Sequence, residues 1–192
     1  ERVPTVKGQA MPAYDPRGSV GQGLAYAVAN RGGCHLSAYM IAQEVYFHLL
    51  KPYSARGKAK WVKFLEDLTC CLNALKTCQF TMYAYVLESP LAKYTPKPLL
   101  GWMMQYLPEV VISLADYSIY KDFWNTVTGL HLSSQEFLSA GERIHVLERL
   151  MNTREGVSRK ADVLPPRLLK EGRASDPQKR TVPLEKMLTA YY

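Results

Sequence analysis

Cysteine is scarce: the chain has four in 192 residues, and Cys70 and Cys71 are adjacent. That excludes a disulfide framework and points to a reducing compartment, with a cytoplasmic location expected. Long apolar runs are missing as well. The most apolar stretch, Leu99 to Leu114, is broken by Gln105, Pro108 and Glu109, whereas a membrane span needs about 20 uninterrupted apolar residues. Glu1 to Gly8 is polar, without the apolar segment that marks a signal peptide. No strand alternation persists, and there is no internal repeat. Gly21-Gln22-Gly23 follows no strand and lacks a third glycine, so it is not a dinucleotide loop. There is no His-Glu-x-x-His zinc helix and no serine nucleophile elbow, and the four histidines, His35, His48, His131 and His145, are scattered.

What is present suits one domain, or one large domain with an appendage. Apolar residues make up 47% and charged residues 21%, too apolar for a disordered chain. The formal charge of +7 is concentrated in two places. Lys51, Arg56, Lys58, Lys60 and Lys63 share a window without an acid, and Arg154 to Arg180 holds eight bases against four acids. The plain reading is solvated surface. The alternative is contact with an anionic cofactor or with another part of a larger protein. No nucleic-acid motif accompanies the charge.

The patterning predicts an all-α fold. Residues 1–20 read as a lead-in loop, and from Gly21 the texture is helical. Leu36 to Leu50 is apolar almost all round, which predicts a buried helix ended by Lys51-Pro52. Trp61, Phe64, Leu65, Leu68, Leu72 and Leu75 form one stripe of a helix from Lys58 to Phe80. On that helix Cys71 and Cys78 continue the apolar face, and Cys78 points inward or across an edge. Prolines mark a loop from Ser89 to Pro98. A short helix is expected over Leu99–Tyr106 and another from Glu109 or Asp116 to Val127, stopped by Gly129. Ser133 and Glu136 form a capping box. The helix it opens carries Phe137, Ala140, Ile144, Leu147, Leu150 and Met151 on one side. Residues 157–180 read as an extended arm, and a last short helix begins at Pro183.

Among candidate sites, Cys34-His35 stands out. It follows Asn30-Arg31-Gly32-Gly33 and opens the expected buried helix, whose N-terminus suits an anion. His48, His131 and His145 read as structural or solvated, and Cys70 and Cys71 as structural.

The order of short motifs resembles a known family. Tyr14-Asp15-Pro16-Arg17-Gly18, Gly23-Leu24-Ala25-Tyr26-Ala27 and Asn30-Arg31-Gly32-Gly33-Cys34-His35 are followed by Val127-Thr128-Gly129, Ala140-Gly141-Glu142-Arg143-Ile144, Leu147-Glu148-Arg149-Leu150, Asn152-Thr153-Arg154-Glu155-Gly156 and Leu164-Pro165-Pro166-Arg167. Together they look like the C-terminal helical region of aldehyde:ferredoxin oxidoreductases. The resemblance covers nearly the whole chain. It implies a tungsten- or molybdenum-bispyranopterin beside a four-iron four-sulfur cluster, aldehyde oxidation to carboxylic acids, and a ferredoxin-like electron acceptor. It also implies that residues 1–192 are one helical domain. The family's N-terminal β domain, and its middle domain with Cys-x-x-Cys-x-x-x-Cys, are absent from this sequence. The chain stops at Tyr191-Tyr192, where the family usually continues into a short tail.

Two functions carry over by resemblance. The family's fourth cluster cysteine lies in Asp-x-x-Gly-Leu-Cys, which here is Asn73-Ala74-Leu75-Lys76-Thr77-Cys78, so Cys78 takes the cluster-ligand position. Asn73, Lys76 and Thr77 replace Asp, Gly and Leu of the pterin grip. An Asn keeps an acceptor but loses the charge and adds a donor, and a lysine ammonium suits a pterin phosphate. His35 matches a histidine that lines the substrate pocket and moves a proton; its usual glutamate partner belongs to the missing domain. The isolated chain is expected to be inactive. Two alternatives stay open: a non-catalytic helical module that lost the cofactor, and a reductive variant acting on an acid or aromatic thioester.

Overall fold

The computed structural model describes residues 3–192, apart from the side chains of residues 86–88; residues 1 and 2 of the expected lead-in loop lie outside it. Among the described residues the fold is all-α apart from one small hairpin. Strands β1 (Thr5–Val6) and β2 (Gln9–Ala10) pair antiparallel, with Thr5 opposite Ala10 and Val6 opposite Gln9. The two-residue turn needs positive φ, which Lys7 and Gly8 supply at 50° and 79°. The Lys7 ammonium then caps the last carbonyls of helix α1 (Val20–Val28), at 2.7 Å from Ala27 O and 2.9 Å from Ala29 O.

All of α1 is buried. It packs against α2 (Lys58–Ala74), which is the centre of the molecule, with α8 (Ser134–Arg154) and α10 (Leu184–Tyr191) around it. Between α2 and α8 run α3 (Thr81–Glu88), α4 (Pro90–Tyr94), α5 (Lys97–Tyr106), α6 (Pro108–Ser113) and α7 (Ser118–Thr128); α9 (Pro166–Lys170) lies in the C-terminal arm. Trp61, Phe64, Leu65, Leu68 and Leu72 of the α2 stripe are buried, as read from their spacing. The two helices α2 and α8 approach closely at Gly141. A Cβ there would fall 2.0 Å from the Asp67 carbonyl oxygen, so no side chain fits.

Several caps follow the sequence. The Ser133–Glu136 capping box forms in both directions. Gly129, at φ 72°, ends α7 in the left-handed conformation.

Other expectations are corrected. The helix over Leu36–Leu50 shrinks to Met40–Tyr46, and its last five residues, Ala42–Tyr46, are a widened π-turn. Its backbone partners come from elsewhere. The Gln22 side chain accepts from Ile41 N–H, and the Gln43 carbonyl accepts from both Leu49 and Leu50. His48 takes a positive φ of 54°, which turns the chain back. Val45 and Tyr46 are exposed. The helix Lys58–Phe80 ends at Ala74. The expected loop Ser89–Pro98 holds α4 and the start of α5, because Pro90 and Pro98 sit in the first turn of a helix, where a missing N–H costs nothing. On α8 only Phe137 and Ala140 of the expected face are buried. Gly141 and His145 join them, while Leu147, Leu150 and Met151 are exposed. Lys58, read as solvated, is fully buried against Glu44.

Candidate functional site

The segment 29–37 leaves α1 and is tied down by α8. Arg149 donates to Val28 O at 3.0 Å, and Asn152 donates to Asn30 O at 2.7 Å. Asn30 donates back to His145 O at 2.9 Å. Gly32 has φ 101°, and a Cβ there would lie 2.7 Å from Val6 O, so glycine alone lets the loop pass the hairpin. His35 follows in an irregular stretch. It does not open a helix, so no helix N-terminus presents free N–H groups at this position. The ring is half-buried between Tyr14 and Tyr39, with centroids at 5.5 and 5.8 Å. Burial and the nearby Arg31 cation hold its pKa below the usual histidine value, so the imidazole is neutral at pH 7.

The second segment is the turn after α2. Asn73 is exposed in the last helical turn. Lys76 adopts φ 58°, Thr77 N–H donates to Leu72 O at 3.1 Å, and Lys76 N–H donates to Asn73 O at 3.1 Å. This is a Schellman closure with lysine at the position glycine usually fills. It ends the helix before Cys78, so the cysteine neither continues the apolar face nor points inward: it lies in the following turn and is exposed. Phe80 meets the Tyr39 ring edge-on at 5.7 Å, so Tyr39 joins this turn to the His35 loop.

A polar cavity of about 230 Å³ lies where the two segments meet α2 and α8. Arg31, Cys34 and Ser37 come from the loop and Asn73 and Gln79 from the turn. Glu66, Thr69 and Cys70 come from α2, His145 and Glu148 from α8. Of the residues predicted from sequence, Asn73 alone lines it; His35, Lys76, Thr77 and Cys78 lie outside that lining. Burial pushes Glu66 up to about 8 and the Cys70 thiol up to about 12, and it pushes His145 down to about 4. At neutral pH these three groups are therefore mostly uncharged. The Tyr191 hydroxyl donates to Glu66 Oε2 at 2.6 Å, which docks α10 on the same cluster. The Oε1 of Glu66, the Oγ1 of Thr69 and the Oε1 of Gln79 are buried without a partner. Each of these groups keeps hydrogen-bonding capacity that the protein does not use. Sequence reasoning missed Glu66 and Glu148, took Cys70 as structural and took His145 as structural or solvated. The one signal available was the i, i+3 spacing of His145 and Glu148, which places both on one face of α8.

The donor set suits the group implied by the resemblance. Cys78 offers an exposed thiol for an iron, and Asn73 and Gln79 offer amide groups at the cavity. Among the described residues no helix is long and apolar enough to cross a membrane.

Residues 1–192 match the family described as aldehyde ferredoxin oxidoreductase, domains 2 & 3. The chain is 35% identical, over 97% of its length, to the tungsten-containing aldehyde ferredoxin oxidoreductase of Pyrococcus abyssi. It is 35% identical to the Pyrococcus horikoshii protein of that name over 97% of its length, and 33% identical to that of Thermococcus kodakarensis over 98%. In each case it spans 27% of the relative's own length.

Proposed function

The chain belongs to the aldehyde ferredoxin oxidoreductase family, and from that premise we propose that it is the C-terminal domain of a tungsten- or molybdenum-bispterin oxidoreductase with a four-iron four-sulfur cluster. The enzyme oxidises aldehydes to carboxylic acids and passes electrons to a ferredoxin-like acceptor. The observation that carries the reading is the match along the whole chain at 33–35% identity to tungsten-containing relatives. The remaining domains of the same enzyme are this chain's first partners, and its location is cytoplasmic.

When bound, the metal-pterin and the cluster supply the two-electron and one-electron redox chemistry. The protein residues then have separate tasks. Cys78 gives one of the four cluster thiolates. Asn73 presents its amide oxygen to pterin N–H groups, while Lys76 and Thr77 shape the turn between them. The positive φ of Lys76 supports this reading, because it is a backbone conformation that glycine, the residue the resemblance puts at this position, adopts readily. His35, neutral and held by two tyrosine rings, accepts or returns a proton at the substrate oxygen.

Elemental analysis of the protein from the complete reading frame tests this. About four irons and one tungsten or molybdenum per chain are expected. Cys78→Ser loses iron. His35→Ala keeps the metals and loses roughly 10²–10⁴-fold in turnover. Folded, anaerobically prepared protein without metal supports the second reading, a helical module that lost its cofactor. The changes at Asn73, Lys76 and Thr77 favour that reading.

A further inference from the structure

We infer that Cys70, His145 and Glu148 form a site for one zinc-class divalent cation at the seam of α2 and α8. Its three ligands include none of His35, Asn73, Lys76, Thr77 or Cys78, although Asn73 lines the same cavity. One potential ligand atom from each residue lies within 4.8 Å of the other two. Around a tetrahedral ion with bonds of roughly 2.0–2.3 Å, ligand atoms sit about 3.5 Å apart. The three side chains therefore reach coordination by closing about an ångström, a change of rotamer and not of backbone. The backbone itself is fixed, since α2 and α8 are locked at Gly141 against Asp67. One sulfur, one imidazole nitrogen and one carboxylate favour zinc over magnesium or calcium, which take oxygen alone.

The surroundings point independently to a ligand. Thr69 is 3% exposed and Glu66 is 1% exposed; each lines the same cavity with an oxygen that has no partner. A water in the fourth coordination position would hydrogen-bond to both. His145 Nε2 lies 3.5 Å from the Tyr191 hydroxyl and 3.9 Å from the other oxygen of Glu66, and Nδ1 lies 3.4 Å from the Asn30 amide nitrogen, which must turn aside for Nδ1 to bind the ion. Asn30 donates to Glu148 Oε2 at 3.3 Å, which leaves the second carboxylate oxygen for the ion. Cys70 and His145 are buried while Glu148 is exposed, so the ion enters past Glu148.

The test uses the protein from the complete reading frame, incubated with zinc and dialysed. The expected result is one zinc per chain beyond the redox metals. X-ray absorption at the zinc edge should show one sulfur at roughly 2.3 Å and nitrogen or oxygen neighbours at roughly 2.0–2.1 Å. Cys70→Ala removes the sulfur signal, and Cys34→Ala, a thiol on the same cavity, leaves it. Glu148→Gln, at the exposed edge where folding is not at risk, weakens zinc binding more than the roughly 10–100-fold cost of an outer partner. No zinc retained by folded protein overturns the site, as does zinc whose sulfur signal survives Cys70→Ala. Iron and tungsten or molybdenum content is read in the same samples, so failure of this site and failure of the redox reading are told apart.

Discussion

Lys76 shows how a residue substitution can keep a backbone. The left-handed conformation costs an L-residue roughly 1–2 kcal/mol, and the lysine bears it to close α2. Lys76→Gly removes that cost, though the freer unfolded chain offsets part of it. A gain of about 0.5–1 kcal/mol is expected in denaturant melts; a loss would mean that the lysine side chain stabilises the turn by contacts of its own. At His35 the sign of the pH effect follows from burial. Its folded pKa is lowered, so the unfolded chain binds the proton more readily. The histidine's contribution is complete above the unfolded value near 6.5 and is lost as pH falls through that value to the folded one. Proton NMR should place its midpoint below 6.5, and Arg31→Ala should raise it. A midpoint at or above 6.5 contradicts the desolvated setting. Both residues were legible in the sequence, His35 from the glycines ahead of it and Lys76 from its place in the motif. Their surroundings were not, because Tyr14, Tyr39 and Phe80 approach from three separate segments.

At the scale of elements, the sequence read best where the signal is local. The stripe of α2, the Ser133–Glu136 box and the Gly129 stop depend on neighbours within four residues, and each appears in the structure. The 36–50 segment failed because its partners are remote. Glu44 turns inward to accept from Gly21 N–H at 3.0 Å and Gln22 N–H at 3.3 Å, from the Ser19 hydroxyl, and from the buried Lys58 ammonium. One carboxylate thus joins the π-turn, the start of α1 and the start of α2. The same pair explains why a lysine in a basic window is not surface. Glu44→Gln leaves a buried cation without its counter-charge and is expected to destabilise the fold by about 3–5 kcal/mol. Adding Lys58→Met to that variant should recover much of the loss. If the double variant is no more stable than Glu44→Gln, the carboxylate matters as a cap for α1 and not as the partner of Lys58.

At the scale of the whole molecule, the chain spans 27% of the length of its relatives and leaves much apolar surface uncovered. Leu147, Leu150 and Met151 are each nearly 60% exposed, at the three- and four-residue spacing that places them on one face of α8. Val127 and Trp102 are exposed elsewhere. The sequence assigned the α8 face to the core of this domain because spacing reports that a face is apolar and not what covers it. Apolar faces of this kind on a domain taken from a larger protein mark contacts with the rest of it. The isolated residues 1–192 are therefore expected to self-associate at micromolar concentration, seen as a rising mass in light scattering, and to show no redox turnover. Replacing Leu147, Leu150 and Met151 together by lysine should return the fragment toward the monomer without lowering its helix content, since none of the three is in the core. A wild-type fragment that stays monodisperse and melts in one cooperative step would contradict this. It would mean that the face is tolerated in water and that the domain folds without its partners.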